Sequence, residues 1–224
     1  MKNKIAVLLS LVFVLSTCCV PAMAIKNVTQ YEPEDVLSEE QIEREQVSDW
    51  AKEEFDIANF LGLVPPLTDQ PAFTGNITRE QFAELIVNMV EKVLGKSLDA
   101  APTDTFTDSS NTAVLKAYKA GIITGVGEGK FAPKNTTNRE QIATMIYRAT
   151  QYLAEQTGEN LTPNAGSIEV FTDKASISSW AAEGVGKLAA NDIMKGTSAT
   201  TASPKNACTV EQSILLIYRV YQKV

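Results

Sequence analysis

The chain reads Thr78-Arg79-Glu80-Gln81 at one point and repeats that pattern twice, as Asn138-Arg139-Glu140-Gln141 and Thr209-Val210-Glu211-Gln212. The three stretches begin 60 and 71 residues apart. Internal self-similarity at such a spacing is typical of an array built from one supersecondary unit. The sequence therefore predicts three copies of one unit, and we expect the function to lie in what these copies share.

Each of these stretches has the features of a helix start. The side chains of Thr78, Asn138 and Thr209 can accept a hydrogen bond from a first-turn amide, and the glutamates that follow suit the positive end of the helix dipole. Apolar residues then recur at helical spacing and draw one buried face on each helix. These stripes are Phe82, Leu85, Ile86, Met89, Val90 and Val93; Ile142, Met145, Ile146, Ala149 and Leu153; and Ile214, Leu216, Ile217, Val220 and Tyr221.

A shorter helix is predicted upstream of each start. Trp50-Ala51 and Trp180-Ala181 open two of these helices, and 12 residues after each tryptophan stands Gly62 or Asp192. Both residue types suit the left-handed turn that ends a helix. The middle copy keeps this frame around Gly121 but has Ser109 in place of the tryptophan.

The fold expected from this pattern is all-α. Neither helix of a copy can bury its apolar stripe alone, so neighbouring copies must supply the other face. The predicted organisation is a signal peptide at 1–24, an acidic leader at 25–46, and three helix-loop-helix copies at 47–98, 103–156 and 168–224.

The N-terminal residues indicate export. Lys2 and Lys4 precede an apolar run, and Ala22-Met23-Ala24 offers the small residues that a signal peptidase reads. Cleavage after Ala24 would remove both lysines and change the net charge from −7 to −9. The alternative is a lipoprotein signal in which Cys18 carries the lipid.

Composition argues against catalysis and against metal or cofactor binding. The chain has no histidine, which excludes histidine-dependent triads and the commonest zinc sites. After cleavage Cys208 is the single cysteine left, and it is interpreted as a small buried residue at a helix entry. We therefore expect no enzyme activity, cofactor, metal or nucleic-acid partner, and no later stretch is long enough to span a membrane.

The ordered series of motifs resembles the S-layer homology (SLH) repeats of bacterial cell-surface proteins. The resemblance covers Val47 to Tyr221. It rests on the stretches Phe106-Thr107-Asp108, Trp50-Ala51, Gly121-Ile122-Ile123-Thr124-Gly125, Gly129-Lys130-Phe131-Ala132-Pro133 and Ile77-Thr78-Arg79-Glu80-Gln81.

The resemblance implies three repeats in a pseudo-threefold spindle, with grooves that hold a pyruvylated polysaccharide linked to peptidoglycan. It places the protein outside the cell, at the bacterial wall or surface, with surface-layer proteins as further partners. The implied ligand-binding set has arginines for the anion, tryptophans for the sugar, glycines for close approach and the two capping residues: Arg79, Arg139, Trp50, Trp180, Gly62, Gly121, Gly125, Thr78 and Asn138.

Several interpretations of these residues stay open at this point. Each arginine either adds a donor fork to free helix-start amides or pairs with Glu80 or Glu140. For the tryptophans, a role as core anchors between copies is favoured over sugar binding. The glycines of the second and third turns, Gly125 and Gly196 among them, are expected to supply positive φ.

The copies also depart from the SLH pattern. Val210 replaces the third arginine, Ser109 the second tryptophan, Asp192 the third turn glycine and Pro66 a first-copy glycine. At most two grooves are therefore expected to be competent, and Asp192 is expected to repel an anion near Val210. The competing function is a scaffold for protein interaction or surface-layer assembly, built from degenerate repeats.

Overall fold

In the computed structural model, residues 46–224 are described. The predicted signal peptide, its Cys18 alternative and the acidic leader up to residue 45 lie outside the described residues. The described part has six α-helices, no β-strand and two 3-10 turns, at Ile168–Val170 and Lys174–Ser176. The helices are α1 (Lys52–Phe60), α2 (Arg79–Leu94), α3 (Thr112–Lys119), α4 (Arg139–Thr157), α5 (Ala182–Ala190) and α6 (Val210–Tyr221).

The prediction of an all-α fold is confirmed. A short helix precedes a long one in each of three pairs, α1 with α2, α3 with α4 and α5 with α6. None of the described helices combines the length and apolar character needed to cross a bilayer. The boundaries of the three copies stay predictions.

The long helices start where the sequence predicts, and each start is a capping box. The Thr78 hydroxyl accepts from the Gln81 amide at 3.3 Å, and the Gln81 side-chain oxygen accepts from the Thr78 amide at 3.0 Å. Asn138 with Gln141 and Thr209 with Gln212 repeat this exchange. The short helices also end as predicted, since Gly62, Gly121 and Asp192 all have positive φ.

Backbone hydrogen bonds tie the three helix entries into a ring. The Ile77 amide donates to the Cys208 carbonyl at 2.9 Å, the Thr137 amide to Ile77 at 3.0 Å, and the Cys208 amide to Thr137 at 3.1 Å. Each entry donates to one neighbour and accepts from the other, which gives the pseudo-threefold arrangement that the resemblance implies. Cys208 is fully buried in this ring, as expected, and burial raises the pKa of its thiol.

The apolar stripes of α2, α4 and α6 form the core with the buried faces of the short helices. All members of the three stripes are buried except Val93 and Tyr221, which are partly buried. Two buried glutamates connect α4 and α6 to the next pair: Glu140 accepts from the amide and hydroxyl of Ser178, and Glu211 accepts from those of Ser48. The second connection closes the ring between the third and first pairs.

The first amides of the long helices are not free, which corrects one interpretation of the helix starts. The Arg79 amide donates to the Asn135 carbonyl at 2.9 Å, and the Glu80 amide to Pro133 at 3.1 Å. The other two long helices are bound in the same way by the loop of the adjacent pair. Because neighbouring backbone satisfies these donors, an anion cannot use them.

Candidate inter-repeat grooves

Two grooves lie between the helix pairs, and each contains one of the predicted arginines. Groove A has a volume of about 250 Å³ and groove B about 350 Å³. Groove A is lined by Arg79, Thr124, Gln141, Thr144, Met145, Arg148 and Trp180. Groove B is lined by Arg139, Trp50, Lys195, Gly196, Thr197, Gln212, Leu215, Leu216 and Arg219.

Each groove draws residues from all three helix pairs. In groove A, Arg79 comes from the first pair, Thr124 and Arg148 from the second, and Trp180 from the third. Groove B repeats this order one step around the ring, so that Arg139 shares its groove with Trp50. The ring closure thus combines Arg79 with a tryptophan 101 residues away along the chain and Arg139 with one 89 residues away.

The two arginines are held by backbone carbonyl groups of the next pair. Arg79 donates from Nε to Phe131 at 2.8 Å and from Nη2 to Thr124 at 2.9 Å. Arg139 donates from Nε to Ala202 at 2.8 Å and from Nη2 to Lys195 at 2.9 Å. Neither arginine has an ion pair with a glutamate in the described part of the chain, so the interpretation that they pair with Glu80 or Glu140 is wrong.

This anchoring fixes a donor fork while leaving part of it unused. A guanidinium has five N–H donors, and each arginine uses two of them on carbonyls. Burial lowers the pKa of both Arg79 and Arg139, but an arginine in a protein keeps its charge. The Arg79 guanidinium also lies 4.5 Å from the Phe131 ring centre. Each groove therefore has a positioned cation with N–H groups left for a ligand carboxylate.

The tryptophans are exposed, which makes the favoured core interpretation wrong. Trp50 is 60% exposed and Trp180 is 56% exposed. The core between pairs is filled instead by the aliphatic stripes and by Phe82 and Phe131. A large apolar ring that faces solvent in a groove can stack on the flat face of a sugar.

The remaining predicted site residues have structural roles. Thr78 and Asn138 use their side chains in the capping boxes, and Gly121 supplies a positive φ of 72°. Gly62 lines neither groove, and its carbonyl accepts from Asn88 at 3.0 Å.

The expectation of positive φ is confirmed for Gly127 and Gly129 but is wrong for Gly125 and Gly196. They are required for close packing, since a Cβ atom would lie 2.7 Å from the Lys130 oxygen at Gly125 and 2.4 Å from the Ser198 oxygen at Gly196.

The structure adds two arginines that the sequence analysis missed. Arg148 and Arg219 each stand nine residues after the first residue of a long helix, and they line grooves A and B respectively. The equivalent residue of α2 is Asn88. The shared offset was a usable signal, but an arginine on the polar face of a helix is usually a solvated surface residue.

The third position around the ring, between the third and first helix pairs, lacks the two arginines that grooves A and B each contain. Val210 is fully buried where the other long helices begin with arginine. Glu84 stands at the α2 position equivalent to Thr144 and Leu215, which line grooves A and B. Its carboxylate accepts from Thr68 and, at 2.7 Å, from Asn111. A carboxylate here disfavours an anionic ligand.

Contrary to expectation, Asp192 shares no described cavity with Val210, whose helix start is bound by the Gly75 and Phe73 carbonyls of the first pair. Asp192 belongs to the turn of the third pair, which contributes to groove B, and it lines a separate cavity with Phe171 and Met194. Arg79 contacts the turn of the second pair and Arg139 that of the third. By the same order, the turn matched with Val210 is that of the first pair, which contains Pro65 and Pro66. Acidic and cysteine side chains in residues 46–224 form no cluster suited to a metal ion.

Two segments of the chain, 103–143 and 170–209, match the S-layer homology domain. These segments contain α3, α5 and the start of α4, and the second ends at Thr209, the N-cap of α6, whereas the first helix pair lies outside both matches.

The chain is also similar to parts of three large proteins. It is 34% identical over 155 residues to an endoglucanase of Bacillus sp. (strain KSM-635), covering 67% of this chain and 15% of that protein. It is 28% identical over 181 residues to exoglucanase XynX of Acetivibrio thermocellus, covering 78% and 16%. It is 28% identical over 179 residues to an amylopullulanase of Thermoanaerobacterium thermosulfurigenes, covering 78% and 9%. The chain thus spans only a small part of these relatives.

Proposed function

We propose that this chain is a noncatalytic module of three SLH repeats that anchors at the bacterial cell wall by binding an anionic, pyruvylated polysaccharide in grooves A and B. The observation that carries the proposal is the arrangement of each groove: a guanidinium fixed by two carbonyls, with donors left over, beside an exposed tryptophan from another helix pair. The two SLH matches support it.

The groove chemistry fits a carboxylated sugar. A carboxylate can accept two parallel hydrogen bonds from a guanidinium fork, and the indole face can cover the apolar face of the ring. Because carbonyl contacts already fix the arginines, little side-chain entropy is lost on binding. The wall polymer would be linked to peptidoglycan, and the protein would act outside the cell after export.

The relatives are consistent with an anchoring role. All three are named as glycan-degrading enzymes, and this chain matches 9 to 16% of their lengths. We infer that the matched part is an anchoring region separate from their catalytic parts, and we assign no catalytic step to this chain. The SLH resemblance favours a location at the cell surface.

The competing proposal is a scaffold that docks surface-layer or other proteins. The third ring position favours it, because Val210 and Asn88 stand there in place of the groove arginines, and Glu84 adds a carboxylate. Binding of the purified chain to cell-wall sacculi, before and after chemical removal of the polysaccharide, separates the two. Loss of binding after removal supports the wall module, and undiminished binding contradicts it.

Salt should not weaken wall binding. The chain without residues 1–24 carries a net charge of −9, so long-range electrostatics oppose its approach to an anionic polymer. We expect the affinity for sacculi to stay level or rise as sodium chloride increases to roughly 300 mM, where screening acts within a few ångströms. A steep loss between low and physiological salt would instead indicate nonspecific charge attraction.

Val210→Arg should not create a third site. The introduced arginine would enter a groove position that has Glu84 and lacks a second arginine at Asn88. A nearby carboxylate satisfies the new cation and repels a ligand anion. We expect sacculus binding within about twofold of the unmodified chain. A tenfold gain would show that only the arginine was missing.

A further inference from the structure

Arg148 and Arg219 occupy equivalent positions in the two grooves but have different partners. Both stand nine residues after the first residue of a long helix, and both line a groove that contains one of the anchored arginines. An ideal pseudo-threefold repeat would give them the same surroundings. Their difference arises from the residue four positions after the groove tryptophan.

For groove B that residue is Glu54, on α1, which does not line the groove itself but is bonded to Arg219 in its lining. Its Oε2 atom accepts from Arg219 Nε at 2.8 Å and lies 2.8 Å from Arg219 Nη2. Lys195 Nζ lies 3.9 Å from the other carboxylate oxygen. The Arg219 side chain is only 15% exposed and that of Glu54 is 32% exposed, so this pair is partly shielded from water. The donor fork of Arg219 is thus bound by a carboxylate of the chain itself.

In groove A the equivalent residue is Gly184, on α5. A Cβ atom there would lie 3.2 Å from the Cβ atom of Tyr147, so α5 packs closely on α4 at this position. The nearby Glu183 carboxylate accepts from the Tyr147 hydroxyl at 2.8 Å. Arg148 has no hydrogen-bond or ion-pair partner among residues 46–224. Neither groove has an acidic residue in its lining, but both guanidinium groups of groove A lack a carboxylate ion-pair partner among residues 46–224, whereas Arg219 of groove B is paired with Glu54.

We propose that the two grooves differ in anion affinity, with groove A the stronger site and Glu54 the residue that weakens groove B. This inference rests on the proposed function. A ligand carboxylate in groove A can contact Arg79 and Arg148 together. In groove B it must compete with Glu54, which is held beside Arg219 at a high effective concentration. Glu54 thereby sets the difference between grooves A and B in their affinity for a carboxylated polymer.

The test uses chains in which one groove is disabled, with sacculi as the binding probe. Arg79→Ala disables groove A, so that binding reports on groove B. Arg139→Ala disables groove B, so that binding reports on groove A. In the Arg79→Ala chain, Glu54→Gln frees Arg219, and we expect about threefold to fivefold tighter binding, the effect of one weak ion pair. In the Arg139→Ala chain, Glu54→Gln should change nothing, whereas Arg148→Ala should weaken binding about tenfold.

Glu53→Gln is the matched control, because it removes the same charge from an exposed neighbour on α1 that has no partner in the described part of the chain. Equal effects of Glu54→Gln and Glu53→Gln in the Arg79→Ala chain would overturn the inference. So would equal binding by groove A chains with and without Arg148. Failure of the proposed function is a different result, in which neither Arg79→Ala nor Arg139→Ala changes sacculus binding.

Discussion

Replacing Arg79 and Arg139 together by alanine should lower the affinity for cell-wall sacculi about a hundredfold or more. Each change removes a charge-assisted fork from a ligand carboxylate, and hydrogen bonds to charged groups contribute roughly 1.5 to 3 kcal/mol. Such a loss is about tenfold or more for each groove. Sacculus binding isotherms of the double variant and both single variants measure the effect.

Folding must be measured beside binding, because both arginines also connect adjacent helix pairs. Each donates two hydrogen bonds to carbonyls of the next pair, so alanine should lower the melting temperature as well. Trp50→Ala and Trp180→Ala provide a cleaner comparison, since both rings are more than half exposed. These variants should weaken sacculus binding while the melting temperature stays nearly constant. Folded arginine variants that bind as tightly as the unmodified chain would show that the grooves are not glycan sites.

Deleting residues 168–224 should abolish cooperative unfolding of what remains. The deletion removes Cys208 from the backbone ring, Glu211 from its bonds with Ser48, and α6 from its packing against α1 and α2. The apolar stripes of the first two pairs would then be exposed to water. Heat denaturation followed by circular dichroism should give a broad transition with no sharp midpoint.

Point variants test the same ring without truncation. Glu211→Ala leaves the amide and hydroxyl of Ser48 without their acceptor, and we expect a loss of about 1 to 3 kcal/mol in the free energy of unfolding. Glu80→Ala is the matched control at the equivalent helix position, where the carboxylate accepts a single 3.3 Å hydrogen bond from Ser109.

The truncated chain of residues 25–156 gives the outcome that would contradict a shared core. A sharp two-state melt of this chain would show that the pairs fold independently and that the grooves are not integral to the fold.

The sequence by itself determined the parts of this protein that depend on near neighbours along the chain. The capping boxes, the apolar stripes and the left-handed residues Gly62, Gly121 and Asp192 all lie where local patterns predict them. These features need only residues three to twelve positions apart, because caps and helical faces are set by local backbone geometry. The expectation of at most two competent grooves came from the residues that depart from the SLH pattern, and it stays a prediction.

Only the tertiary structure decided which side chains share a groove. Arg79 meets Trp180, and Arg139 meets Trp50, because the ring closes between the third and first helix pairs. The same closure satisfies the helix-start amides with loop carbonyls and brings Glu54 to Arg219 across 165 residues of sequence. No local pattern encodes these contacts, since they depend on how three similar units pack around a common axis.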